Sequence, residues 1–169
     1  IADAIRWAAG GSVNGLSANA YPAKVLNLSL GGGGSCDSTT QSAINDARSR
    51  GAVVVVAAGN SNANAANYSP ASCAGVITVA ATGRTGSRAY YSNYGNVVAL
   101  AAPGGDVRSS SSNGILSTLN AGTKAPGADN YAYYQGTSMA TPHVAGVAAL
   151  MFSAKPTATP DQIKTALQS

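Results

Sequence analysis

The chain has 169 residues, 45% of them hydrophobic and 9% charged, with a formal net charge of +4. That composition excludes a disordered segment and supports one globular domain with a real core. No run of about 18 apolar residues occurs, which argues against a membrane-spanning helix. The ten basic residues are scattered from Arg6 to Lys164 rather than gathered on one arm, which argues against a nucleic-acid partner.

Residues 1–9, IADAIRWAA, predict an amphipathic helix with Ile1, Ile5 and Ala8 on one face, and they lack the basic start and long apolar stretch of a leader peptide. Gly10 to Pro22 reads as loop. Val25–Leu30 is a short strand that runs into the glycines Gly31–Gly34. Ser38–Arg50 predicts a helix, with Ser38 as its cap and Gly51 past its end. Ala52–Ala58 is a continuous apolar run with VVVV at its centre, the pattern of a strand covered on both faces in a parallel sheet. Val76–Ala80 and Val97–Ala101 read as further strands, the second closed by Pro103-Gly104-Gly105. Val107–Gln135 is polar, Ser-rich and Tyr-bearing, and reads as hairpin and surface loop. The next helix, from near Ser138 to about Ser153, is apolar nearly all round and is expected to be buried. Thr159-Pro160-Asp161 opens a last helix, with Thr as cap and Pro at the first helical position. Strands alternating with helices predict an α/β fold around a parallel sheet.

Cys36 and Cys73 are the two cysteines, and both lie in loops rich in Gly, Ser and Asn. They suggest one disulfide and an oxidising compartment; two free thiols is the other reading.

The segment Gly136-Thr137-Ser138-Met139-Ala140-Thr141-Pro142-His143-Val144-Ala145-Gly146 places a serine hydroxyl at the start of a helix, where free N–H groups and the helix dipole favour negative charge. An acyl-transfer nucleophile gains from that place, because an oxyanion develops beside it. Serine and threonine are also ordinary helix caps, and physics alone leaves both readings open. Upstream, Val53–Ala58 delivers Gly59-Asn60 at the C-terminal end of a buried strand; Asn60 there is either an amide donor or part of a plain turn.

GTSMATPHVAG resembles the nucleophile motif of the subtilisin-like serine proteases, in the proteinase K-like extracellular group, at every position. The resemblance implies a three-layer parallel-sheet subtilisin-like α/β fold, incomplete at the N-terminus. It implies Ser138 as nucleophile of a secreted serine endopeptidase and Asn60 as oxyanion-hole amide. It further implies that Ser29, Leu30 and Gly31 bind the substrate backbone as an added strand, while Leu30-Gly31 and Ala58-Gly59 wall the specificity pocket. Tyr68-Ser69-Pro70-Ala71 resembles the pocket floor. No carboxylate occurs in these walls, which points to broad apolar or aromatic preference. A Cys36–Cys73 bond would tie the two sides of the pocket together.

His143, the only histidine, lies five residues after Ser138 on the same helix, off the nucleophile's face, and is expected to be a buried structural residue. A subtilisin-like triad runs Asp, His, Ser in chain order, so its first two members are expected before Ile1. The chain is therefore expected to be the C-terminal part of one catalytic domain that needs a complementary N-terminal segment; an inert fragment or scaffold is the alternative. An α/β-hydrolase elbow is discarded because its acid and base would have to follow the serine, and GGGGSC is no phosphate loop. No cofactor is expected for the chemistry. Structural calcium is an optional expectation, through carbonyls near Ala74 and Val76, although the position of the family's Asp ligand is held by Ala99. Asp106 and Asp129, both in loops, are expected to be exposed, solvated carboxylates, with calcium binding as the other reading.

Overall fold

The computed structural model describes residues 1–169. Its helices are α1 (Ala2–Ala8), α2 (Ser38–Ser49), α3 (Thr137–Ala154) and α4 (Pro160–Gln168). Its strands are β1 (Val25–Leu28), β2 (Gly32–Gly33), β3 (Val53–Ala57), β4 (Tyr68–Ser69), β5 (Ile77–Thr82), β6 (Val98–Pro103), β7 (Ile115–Asn120) and β8 (Asp129–Tyr134). The main sheet is parallel throughout, in the order β1-β3-β5-β6.

β3 explains the layering. Its side chains alternate between faces, and every one of them is buried. Val53 and Val55 point into a cluster with Ala140, Val144, Ala148 and Phe152 of α3 and Ile163 of α4. Val54 and Val56 point into a second cluster with Ile5 of α1 and Ile44 and Ala47 of α2. Each buried valine contributes roughly 1.5–3 kcal/mol of transfer free energy, so the VVVV run glues helices to both faces. The three-layer α/β arrangement is the expected one.

Local signals decide the helix ends, with one correction. The cap of α2 is Asp37, not Ser38: Asp37 Oδ1 accepts from Thr40 N at 2.9 Å and Oδ2 from the Thr40 hydroxyl at 2.6 Å. These bonds, the hydroxyl's first, hold the Asp37 carboxyl below the ordinary range. A carboxylate wins over the neighbouring serine because it also meets the positive end of the helix dipole. α4 starts as expected, with Thr159 as cap and Pro160 at its first position, and the structure adds a reciprocal capping box between Thr159 and Gln162.

A second correction concerns α3. Thr137, Ala140, Thr141, Val144, Ala145, Ala148 and Phe152 are buried, but Val147 is 48% and Leu150 71% exposed. An all-apolar helix can bury any face; packing on the β1-β3-β5-β6 sheet covers only one. β7 and β8 form the expected hairpin, paired from Ile115↔Tyr134 to Asn120↔Asp129. The two-residue antiparallel ladder of β2 with β4 was not foreseen.

Candidate active site

The carboxyl end of β3 carries the first element. Gly59 adopts φ +102°, and a Cβ there would stand 2.3 Å from Asn93 Nδ2, so only glycine fits this exit. Asn60 follows. Its Oδ1 accepts from both the N–H and the hydroxyl of Thr137, each at 2.8 Å. The Thr137 hydroxyl in turn accepts from Gly59 N at 3.2 Å. With its oxygen committed to Thr137, the Asn60 side chain has only its NH₂ donors left to offer to a ligand. Thr137 is completely buried, and sequence reasoning missed its part; a hydroxyl directly before the serine was the available signal.

Gly136 caps α3 without a side-chain bond, and Ser138 is the second residue of the helix. Its N–H therefore belongs to the first-turn amides that a helix leaves unpaired. A Cβ built at Gly136 would lie 3.6 Å from Asn60 Nδ2 and 3.6 Å from Ser138 N, so both donors border the same small space.

Ser138 is tied to Ser29 in both directions. Ser138 Oγ donates to Ser29 O at 3.2 Å, and Ser29 Oγ donates to Ser138 O at 2.8 Å. Pro142 explains the second bond. Four residues beyond Ser138 inside the helix, it has no N–H to give to the Ser138 carbonyl, and the Ser29 hydroxyl takes that role.

All the expected site residues line one cleft of about 370 Å³: Ser29, Leu30 and Gly31 on one side, Ala58, Gly59 and Asn60 on the other, with Ser138 at its end. The lining holds no carboxylate. The floor segment enters through Tyr68 and Ser69; Ala71 lies buried behind them. A Cβ at Gly31 would come within 3.0 Å of Ser69 O, so wall and floor are in near contact. Just beyond, Cys36 and Cys73 are joined in a disulfide with Cα atoms 5.1 Å apart.

His143 is exposed rather than buried, and its Nδ1 lies 2.7 Å from Met139 O, one helical turn back. Because that face of α3 is uncovered, the ring follows its own helix instead of entering the core. Asp106 also departs from expectation. Its side chain is only 19% exposed and pairs with Arg108 Nη2 at 2.6 Å. That guanidinium holds the carboxyl below its ordinary range. Asp129 is exposed as expected, and accepts from Asn120 Nδ2 at 3.1 Å.

The residues that would hold calcium do not fit the ion. Ala74 O accepts from Gln41 Nε2 at 3.1 Å, Gly75 O from Arg48 Nη1 at 2.5 Å and Val76 O from Lys164 Nζ at 3.2 Å. Two fixed positive charges sit on these carbonyls and oppose a divalent cation. Ala99 supplies no carboxylate to offset them. Nowhere do three or more His, Cys, Asp or Glu side chains converge as a metal set.

A parallel α/β sheet that brings a serine at a helix N-terminus beside a strand-end asparagine defines a class of proteins, the subtilisin-like fold. Residues 1–169 match the model described as the subtilase family, and the chain belongs to that family of serine proteases. It is 56% identical over 170 residues to "Extracellular protease" of Xanthomonas campestris pv. campestris, covering 100% of this chain and 28% of that protein. It is 47% identical to "Extracellular basic protease" of Dichelobacter nodosus, covering 91% of this chain and 24% of that one. Among solved structures, proteases from Pseudoalteromonas arctica PAMC 21717 superpose with a TM-score of 0.96 at 61% identity, covering 99% of this chain and 50% of theirs. A cold adapted subtilisin-like serine proteinase gives a TM-score of 0.70 at 40% identity, covering 85% and 46%. The chain thus spans about a quarter of those curated relatives and about half of those solved chains.

Proposed function

We propose that this chain is the nucleophile-bearing part of the catalytic domain of a secreted serine endopeptidase. Ser138 Oγ attacks the scissile carbonyl carbon and yields its proton to an imidazole. Asn60 Nδ2 and Ser138 N–H receive the oxyanion. The tetrahedral intermediate collapses to an acyl-Ser138 while the imidazolium protonates the leaving amine, and water reverses the sequence to release the acid. The observation that carries this reading is the pair of hydrogen bonds that Thr137 donates to Asn60 Oδ1, which leaves the Asn60 amide only its NH₂ donors to offer beside Ser138 N.

His143 does not serve as the base, because its ring is engaged with Met139 O a turn beyond Ser138. The imidazole and its orienting aspartate belong to a complementary N-terminal segment of the same protease, and the 169 residues alone are inactive. The outer edge of β1 and the exposed Val147 and Leu150 on α3 offer that segment a seat. Substrate is a peptide or protein lying against Ser29–Gly31 as an added strand, with apolar or aromatic side chains preferred in a cleft that lacks a carboxylate. Secretion accords with the disulfide and with the relatives named extracellular. Catalysis needs no cofactor.

A sulfonyl fluoride tests the assignment. In the protease complete with its general base, label is expected on Ser138 in step with loss of activity, while the isolated chain reacts slowly. Labelling of another serine in an inactivated sample, with Ser138 untouched, overturns it.

A further inference from the structure

We propose that Asn93 is a positioning residue for the oxyanion-hole amide, setting the shape of the 58–63 loop that carries Asn60 into the cleft. The inference rests on the role given to Asn60 above. Asn93 has no exposed surface, and its side chain and N–H are all engaged on one short stretch of backbone. Its Nδ2 donates to Ala58 O at 2.8 Å, its Oδ1 accepts from Ser61 N at 2.9 Å and Ala63 N at 3.0 Å, and its own N–H donates to Gly59 O at 2.9 Å. The four bonds bracket Asn60 on both sides, and none of them takes up the Asn60 NH₂ group.

The loop needs such a template. It leaves β3 and has no ladder partner for the N–H groups of Ser61 and Ala63. It also contains two left-handed residues, Gly59 at φ +102° and Asn62 at φ +49°. Residues flanking Asn93 extend the template: Asn62 N donates to Tyr91 O at 2.7 Å, Tyr94 N to Ala63 O at 3.0 Å, and Arg88 Nη1 to Asn62 Oδ1 at 2.8 Å. Gly59 and Asn93 form one device, since the amide approaches to where a Cβ would stand 2.3 Å away. An aspartate would keep the two acceptor contacts and lose the donor to Ala58 O; an alanine would lose all three side-chain bonds.

A double-mutant cycle in the complete protease separates positioning from general support. Loss of one oxyanion donor in a subtilisin costs roughly 10²–10³ in kcat, which sets a borrowed ceiling. Asn93→Ala is expected to lower kcat by about 10- to 100-fold with KM changed less than about threefold, because the amide acts where charge develops. In an Asn60→Ala background the same substitution is expected to cost less than about threefold, since nothing is left to position. Asn93→Asp sets an acceptor oxygen against Ala58 O and is expected to lower kcat as well, so it carries the same cycle where the alanine variant does not fold. Equal losses from Asn93→Ala in both backgrounds overturn the inference, as does an unchanged kcat. An Asn60→Ala variant with unaltered kcat instead overturns the oxyanion role of Asn60.

Discussion

The Cys36–Cys73 bond offers the most quantitative test of how the cleft is held. It closes a loop of 37 residues, and constraining a loop of that length in the unfolded chain is worth about 4 kcal/mol at 25 °C on the chain-entropy scale. Cys36→Ser with Cys73→Ala is the suitable variant. Cys73 is only 5% exposed, and a serine there would bury an unpaired hydroxyl at a further 1–3 kcal/mol or so. Guanidinium unfolding of the protease blocked at its nucleophile, so that autolysis does not distort the curve, is expected to show a loss of about 4 kcal/mol. The bond also ties together the segments that follow β2 and β4, and those two strands line one wall and the floor of the cleft. KM for peptides is therefore expected to rise several-fold while kcat stays within about twofold, because the loosened parts bind substrate but hold no reacting atom. A stability loss below about 1 kcal/mol refutes the entropic reasoning. A fall in kcat at constant KM refutes the link between the bond and the pocket.

Two further outcomes are expected. The Tyr91 hydroxyl is buried against Gly104 O and Gly105 O at 2.9 and 2.7 Å, and burial first of all pushes its pKa up to about 12. The folded state favours the neutral phenol, so this contribution is whole below about pH 10 and fades at about 1.4 kcal/mol per pH unit as pH climbs toward 12. Tyr91→Phe should flatten that alkaline decline in the unfolding midpoint; an unchanged slope refutes the assignment. Ala99→Asp combined with Lys164→Ala should create a calcium-dependent rise in Tm that neither the parent nor either single variant shows, because a carboxylate replaces the ammonium at Val76 O. A parent that already shows the same rise, or a double variant that lacks it, contradicts the idea that side-chain cations occupy the place of the ion.

Much of the fold was legible in the sequence because its causes are local. The VVVV run can only be a strand covered on both faces, and Thr159, Pro160 and Gln162 spell out a helix start within four residues. The serine motif and the Gly59-Asn60 strand end were legible too, as resemblance and as pattern. Other features answer to partners far along the chain. Ser29 meets Ser138 across 109 positions, Asn60 meets Thr137 across 77, and Asn93 reaches Ser61 across 32. No periodicity encodes such pairs, because they arise only when the layers close and bring loop ends together. The same holds for α3, whose apolar sequence is indifferent to which face is covered, and for His143, whose exposure follows from that choice. Amino-acid order by itself determined the strands, the helices, the parallel α/β class and the family motif. Tertiary packing alone decided that Thr137 orients Asn60, that Asn93 shapes the loop beneath it, and that Lys164 and Arg48 sit on the carbonyls of the calcium site that Ala99 had already put in question.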